Sequence, residues 1–131
     1  MAKRPARVVC LDTHVVVWLY AGLTDKLTPA ACAAIETCDI CIPQMVRLEL
    51  HYLFEIGRIT VQQDQIVSFL SKTIGARLSD WPLAQLVDAA LQIDWTRDVF
   101  DRMIAAEAIA RSCGLISADD RIRGHLPSAV W

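Results

Sequence analysis

Four carboxylates stand where their type and spacing could do chemistry: Asp12, Glu49, Asp101 and Asp119. Asp12 follows the apolar run at 7–11, and Asp119 closely follows that at 115–117. Both runs read as short strands buried in a parallel sheet. In such a sheet, ligands bind beyond the carboxyl ends of the strands, where strand order reverses, so two acids at two strand ends can share a cleft. Asp101 falls in the first turn of a helical stretch that feeds the Asp119 strand, with Asp98 one turn earlier. Glu49 interrupts an otherwise apolar part of a helix, among Leu48, Leu50, Tyr52 and Leu53. If these acids converge, they cannot all stay ionised without a counter-charge. A ligand set made only of oxygen suits Mg²⁺ or Mn²⁺ rather than zinc. Such a site activates water, polarises a phosphoryl oxygen and stabilises a leaving alkoxide, which is the chemistry of phosphodiester hydrolysis. Taken singly, each acid also has an ordinary role: a turn or cap after a strand, a helix-dipole partner, or a solvated Glu. Whether they act together depends on the fold.

The elements that must position them alternate in type. Residues 7–11 read as a strand. Residues 14–21 read as a helix, with Val15, Trp18 and Leu19 at helical spacing and Gly22 as its stop. Thr28 and Pro29 suit the N-cap and first position of a helix running to about Thr37. Residues 40–42 form a short strand. Pro43 opens a longer helix, with Met45, Leu48, Tyr52, Leu53 and Ile56 apolar and Gly57 closing it. Residues 60–72 predict a fourth helix, 75–78 a short strand, and Trp81-Pro82 the start of a fifth helix through Leu91. Residues 94–97 connect to a sixth helix, capped by Asp98 and ended by Gly114. Residues 115–117 are a buried strand, and 129–131 a last short one. Strands alternating with helices give an α/β class, a three-layer α/β/α arrangement around a mostly parallel sheet. No linker, repeat or low-complexity stretch divides residues 1–131, so one domain is expected.

Composition narrows the classes. The chain has 131 residues, 54% hydrophobic and 21% charged, enough to bury a substantial core and to leave apolar surface for a partner. The net charge is −2, whereas a protein that merely coats nucleic acid is normally basic; a nucleic-acid partner would need a local basic patch or metal ions. The five cysteines are odd in number and no secretory signal precedes them, which argues for reduced thiols and a cytoplasmic location. Cys38 and Cys41 make one C-x-x-C, but a zinc site would need a second ligand pair, and none is apparent. Cys10 and Cys41 lie in apolar runs, where Cys behaves as a small hydrophobe. The basic start Met1–Pro5 precedes no long apolar stretch, and 15–19 is far too short to span a bilayer, so no membrane is expected.

With these segments in order, the chain resembles a known family. Residues Val9-Cys10-Leu11-Asp12-Thr13-His14-Val15 resemble the opening strand of PIN domains. Pro43 to Leu50, with Gly57-Arg58-Ile59, is similar to the family's acid-bearing helix and the turn after it. Arg97 to Ala106 and Leu115 to Asp119 resemble two further family segments, and Val130-Trp131 its short final strand. Bacterial PIN proteins of this size mostly resemble VapC toxins of VapBC toxin–antitoxin systems. The resemblance implies an endoribonuclease in which Asp12, Glu49, Asp101 and Asp119 bind one or two Mg²⁺ or Mn²⁺ ions. Thr13 would steady the first acid or a bound water, and Ser117 and Asp98 would support the site. Arg97, Arg102, Arg121 and Arg123 would hold the RNA backbone. It further implies a homodimer and a cognate VapB antitoxin whose segment covers the cleft. Val99 stands where the family often has Pro, and Ser117 where Thr is common. Asp98 and Asp120 each stand close enough to substitute for a neighbour as an outer ligand; Asp98 reads better as a helix cap.

Other classes fit less well. A haloacid-dehalogenase-like phosphatase needs an Asp two residues after the first, and position 14 is His. A receiver domain needs its phosphoacceptor on a middle strand and a late Lys, and neither is evident. The remaining rival is a non-catalytic PIN-like scaffold, or a regulatory protein acting through its antitoxin complex at promoter DNA. A scaffold has little reason to keep buried like charges.

Overall fold

A computed structural model describes residues 7–131; the basic start at 1–5 lies outside the described residues. Five short strands form one parallel sheet: β1 (Val8–Leu11), β2 (Asp39–Ile42), β3 (Arg77–Leu78), β4 (Gly114–Ile116) and β5 (Ala129–Val130), in the order β3-β2-β1-β4-β5. Successive strand residues point to opposite faces. Val9, Cys10 and Leu11 are all buried, as are Ile40, Cys41 and Ile42, so both faces are covered and the sheet is the middle layer of three. Among the described residues, seven α-helices supply the outer layers: α1 (Thr13–Ala21), α2 (Pro29–Thr37), α3 (Gln44–Glu55), α4 (Gln63–Ile74), α5 (Leu83–Leu91), α6 (Val99–Arg111) and α7 (Asp120–His125).

The topology locates a cleft. From β1 the chain steps to β2 on one side, then returns across to β4 on the other. The carboxyl ends of β1 and β4 therefore flank the point where strand order reverses, the usual ligand position in such sheets. The register Leu11↔Ile116 sets the residues after these strands side by side.

Local chemistry explains most boundaries. Thr28 caps α2 by accepting from the Ala31 amide at 3.2 Å, with Pro29 in the first turn. Gly22 and Gly75 end α1 and α4 in the left-handed region. Four features differ from the sequence reading. α4 begins at Gln63, not Thr60, because Val61 packs, partly buried, against the core from irregular backbone; its apolar character mimicked a helical face. α6 ends at Arg111 with Ser112 left-handed, and Gly114 starts β4 instead. There a Cβ would meet Val9 Cγ2 at 3.3 Å and the Ser128 carbonyl at 3.4 Å, so the glycine permits close packing rather than a stop. α7, six residues long and set by a cap at Asp119, was too short to show a period. In α3 the core-facing residues are Val46 and Leu50, whereas Leu48, Tyr52 and Ile56 are 53%, 47% and 49% exposed. Together with exposed Leu83, Leu91 and Val99, they are the leftover apolar surface that composition suggested.

Candidate active site

Asp12 is 2% exposed and held from three sides. Its amide donates to the Ile116 carbonyl at 3.0 Å, carrying the β1–β4 ladder one residue past the strand. Oδ2 accepts from the Ser117 hydroxyl at 2.7 Å, and Oδ1 from the Thr13 amide at 2.8 Å as α1 begins. Thr13 Oγ1 donates to Glu49 Oε1 at 2.5 Å, so one threonine ties the acid of β1 to that of α3. Ser117 Oγ also accepts from the Asp119 amide at 3.1 Å, and Asp119 Oδ1 caps α7 through the Ile122 amide at 2.9 Å. Asp101 lies in the first turn of α6, where its amide donates to Asp98 Oδ1 at 2.9 Å. Three of the acids thus sit at the amino ends of α1, α6 and α7, where the helix dipoles favour their charge, and Glu49 sits in the middle of α3.

That favour does not offset their mutual repulsion. Burial, followed by the charges of Asp98, Asp12, Asp119 and Glu49, pushes Asp101 up to about 7. Burial also raises Glu49, with Asp12 and Asp98 adding to it. It raises Asp12 as well, against the Ser117 and Thr13 hydrogen bonds. Among the described residues, no Lys or Arg pairs with any of the four acids. A set of hard oxygen donors, Asp12 buried and the other three half-buried, that is short of positive charge suits a divalent cation that keeps some of its water. The four are not drawn into one tight knot; among the described residues, the ligand atoms that all lie within 4.8 Å of one another belong to Cys10, Cys41 and Glu107.

Residues 9–124 match the family model of the PIN domain. The chain belongs to the PIN-domain family. The family is generally one of nucleases, and PIN nucleases typically use divalent metals. Three solved structures resemble this PIN domain in fold. VapBC2 from Rickettsia felis, bound to a DNA fragment from their promoter, is 18% identical with a TM-score of 0.66, covering 93% of this chain and 95% of that one. A toxin–antitoxin complex from Klebsiella pneumoniae is 15% identical with a TM-score of 0.61, covering 94% and 96%. DNA-bound VapBC from Salmonella typhimurium is 18% identical with a TM-score of 0.59, covering 94% and 95%. No curated protein matches the chain in sequence.

The other residues singled out in the sequence fall around this PIN-domain cleft in different ways. Asp98 is exposed and caps α6, and its charge still reaches Glu49 and Asp101. Asp120 is fully exposed and pairs with Arg123 at 3.5 Å. Arg102 is committed to structure: Nε and Nη2 donate to the Thr96 carbonyl at 3.2 and 2.7 Å, bracing the connection before α6. Arg97 and Arg121 are exposed, with no ion pair among the described residues. One nearby residue was given no role: His14, exposed at the start of α1, whose positive charge would lower both Asp12 and Glu49. Its signal in the sequence was an ionisable base directly after Asp12-Thr13.

Proposed function

We propose that this PIN domain, spanning residues 1–131 as a single unit, is a VapC-type toxin: a Mg²⁺- or Mn²⁺-dependent endoribonuclease restrained by a cognate VapB antitoxin. The observation that carries the reading is the set of four acids around the switch point of the sheet, of which Asp12, Glu49 and Asp101 are raised, first by burial and then by neighbouring acids, with no Lys or Arg paired to the four among the described residues. Asp12, Glu49, Asp101 and Asp119 would hold one or two ions. When bound, the cation would supply an activated water and offset charge on the phosphodiester. The residues of the chain do the positioning. Ser117 and the Thr13 amide fix both oxygens of Asp12, and the Thr13 hydroxyl fixes Glu49. Asp101, raised to about 7 without metal, would give up its proton to hold a cation, so loading the site would release protons near neutral pH. Arg97 and Arg121 would draw the RNA backbone to a chain whose net charge is −2.

The exposed apolar side chains of α3 and α5 support a homodimer and an antitoxin surface. No described helix is long and apolar enough to cross a membrane; a cytoplasmic location is part of the proposed reading. A second reading, regulation through an antitoxin complex at promoter DNA, draws on the two DNA-bound neighbours. It gives no reason for burying Asp12 among like charges. The test is cleavage of a structured RNA pool by antitoxin-free protein in Mg²⁺ or Mn²⁺ and in EDTA, beside Asp12→Asn. Cutting that needs metal and is lost in the folded variant is expected. Equal cutting by Asp12→Asn would remove the assignment.

A further inference from the structure

A second cluster of ligand atoms, of different chemistry, lies inside the molecule. Cys10 and Cys41 are Cα partners in the parallel ladder between β1 and β2, so their thiols sit side by side on one face of the sheet. Glu107, on the third turn of α6 and 1% exposed, comes down on the same pair, its Oε2 3.6 Å from Cys41 Sγ. Cys113, between α6 and β4, places its Sγ 3.6 Å from that of Cys10.

Glu107 has no adequate partner as a packing residue. A buried carboxylate is costly unless it is ion-paired and well hydrogen-bonded. Its side-chain partners among the described residues are one thiol, a weak donor, and Arg111 Nη1 at 3.8 Å, beyond hydrogen-bond reach. Arg111 is turned instead over the Trp81 ring, 4.9 Å from its centroid, and its buried Nε has no partner among the described residues. The polar atoms here are arranged as though positive charge belonged among them.

We propose that Cys10, Cys41, Cys113 and Glu107 form a structural site for a thiophilic divalent cation, Zn²⁺ foremost, separate from the carboxylate cleft. With Zn–S near 2.3 Å and Zn–O near 2.1 Å, a tetrahedral site has S···S edges of about 3.8 Å and S···O edges of about 3.6 Å. The two edges given by Cys10–Cys113 and Cys41–Glu107 are both 3.6 Å. The ligand atoms of Cys10, Cys41 and Glu107 all lie within 4.8 Å of one another, and Cys113 stands outside that group and joins it through Cys10. Loading would pass one proton from each of three thiols to solvent as three Zn–S bonds and one Zn–O bond form. The resulting cluster carries two net negative charges, one of them faced by Arg111. A cavity of about 440 Å³ is lined by Cys41 together with Val8, Asp39, Arg77 and Arg111, and Asp12 is not part of its lining. Cys38, the other half of the C-x-x-C, caps the end of α2 and takes no part.

Co²⁺ tests this directly, because tetrahedral thiolate coordination gives it a charge-transfer absorption that hexa-aqua or carboxylate-bound Co²⁺ lacks. The reduced full chain, stripped with chelator, is titrated with Co²⁺ and then with Zn²⁺. About one equivalent of thiolate-bound Co²⁺, bleached by Zn²⁺, is expected. Cys41→Ser and Glu107→Gln should weaken it at least about ten-fold, while Cys38→Ser and Asp101→Asn should leave it intact. Glu107→Gln is nearly isosteric, so it decides the matter if Cys41→Ser does not fold. Absence of the thiolate band in the folded chain, or an undiminished band in folded Glu107→Gln, overturns the proposal. The Asp101→Asn arm separates this site from the nuclease reading, since it removes one cleft ligand and none of these four.

Discussion

The Ser117 hydroxyl donates to Asp12 Oδ2 across 2.7 Å, joining the ends of two adjacent strands from residues 105 positions apart. The same oxygen accepts the Asp119 amide, so one side chain orients one acid and anchors the backbone of another. Ser117→Ala would leave a buried carboxylate oxygen without its donor. Stability should fall by about 1–3 kcal/mol and cleavage by about 10–100-fold, whereas Ser117→Thr, which keeps the hydroxyl, should retain both. Urea unfolding and a cleavage rate check this. An alanine variant equal to the parent in both would show that the hydroxyl is idle.

Thr13→Val removes the donor to Glu49 while keeping the shape of the side chain and the amide bond to Asp12. Glu49 then loses its fixed orientation. Metal affinity in the cleft should drop about ten-fold or more with the fold unchanged, as read by Mn²⁺ titration beside circular dichroism. Unaltered Mn²⁺ binding would place Glu49 outside the ligand set.

Asp101 sets the pH behaviour. Its carboxyl moves from an ordinary value of 3.8 up to about 7, so between those values the folded chain holds a proton that the unfolded chain has released. The stability it contributes is therefore greatest at the acid end of that window and is lost as pH rises toward 7. Asp12 and Glu49, also raised, act in the same sense. Metal-free protein should melt higher at pH 5.5 than at pH 8 (values inside and above this window), and Mg²⁺ at pH 8 should restore much of the difference. Asp101→Asn should stabilise the metal-free protein by about 1 kcal/mol after allowance for solvent screening and flatten the profile. A melting temperature that rises with pH across this range would contradict the sign.

The two arginines beside α6 should behave differently. Arg102→Gln withdraws two bonds from the Thr96 carbonyl and should destabilise the fold by about 1–3 kcal/mol. Arg97→Gln, at an exposed position, should leave the melting temperature in place, weaken RNA binding and reduce its salt dependence by about one charge. Equal effects from both would mean that Arg102 also reaches RNA.

Gly114→Ala introduces a methyl group 3.3 Å from Val9 Cγ2 and 3.4 Å from the Ser128 carbonyl. The backbone oxygen has little room to yield, and a loss of about 1–3 kcal/mol is expected from overpacking. Wild-type stability in chemical denaturation would show that β5 shifts freely.

Much of this was written locally. The strands were legible because runs such as Val9-Cys10-Leu11 are apolar without alternation, the mark of a sheet covered on both faces. That placed Asp12 at a strand end, with Asp119 close behind another. The bonds from Thr13 to Glu49 and from Ser117 to Asp12 could not be seen, because they depend on which strands become neighbours. In α3 the sequence offered apolar residues on two faces and nothing to say which would meet the core. Glu107 is one acid in an alanine-rich stretch of sequence, with nothing local to mark it as buried; its place over Cys10 and Cys41 depends on the register of two strands.

β1 is flanked by β2 on one side and β4 on the other, while β3 and β5, two residues each, form the edges. Thermal opening of such a sheet starts from the outside, since edge strands lose half their ladder at little cost and a central strand must break two. Amide hydrogens of Cys10, Leu11 and Asp12 should therefore exchange only when the whole molecule unfolds. The acid proposed to hold the metal is mounted on the part of the protein that comes apart last, so fraying at either margin leaves its setting unchanged.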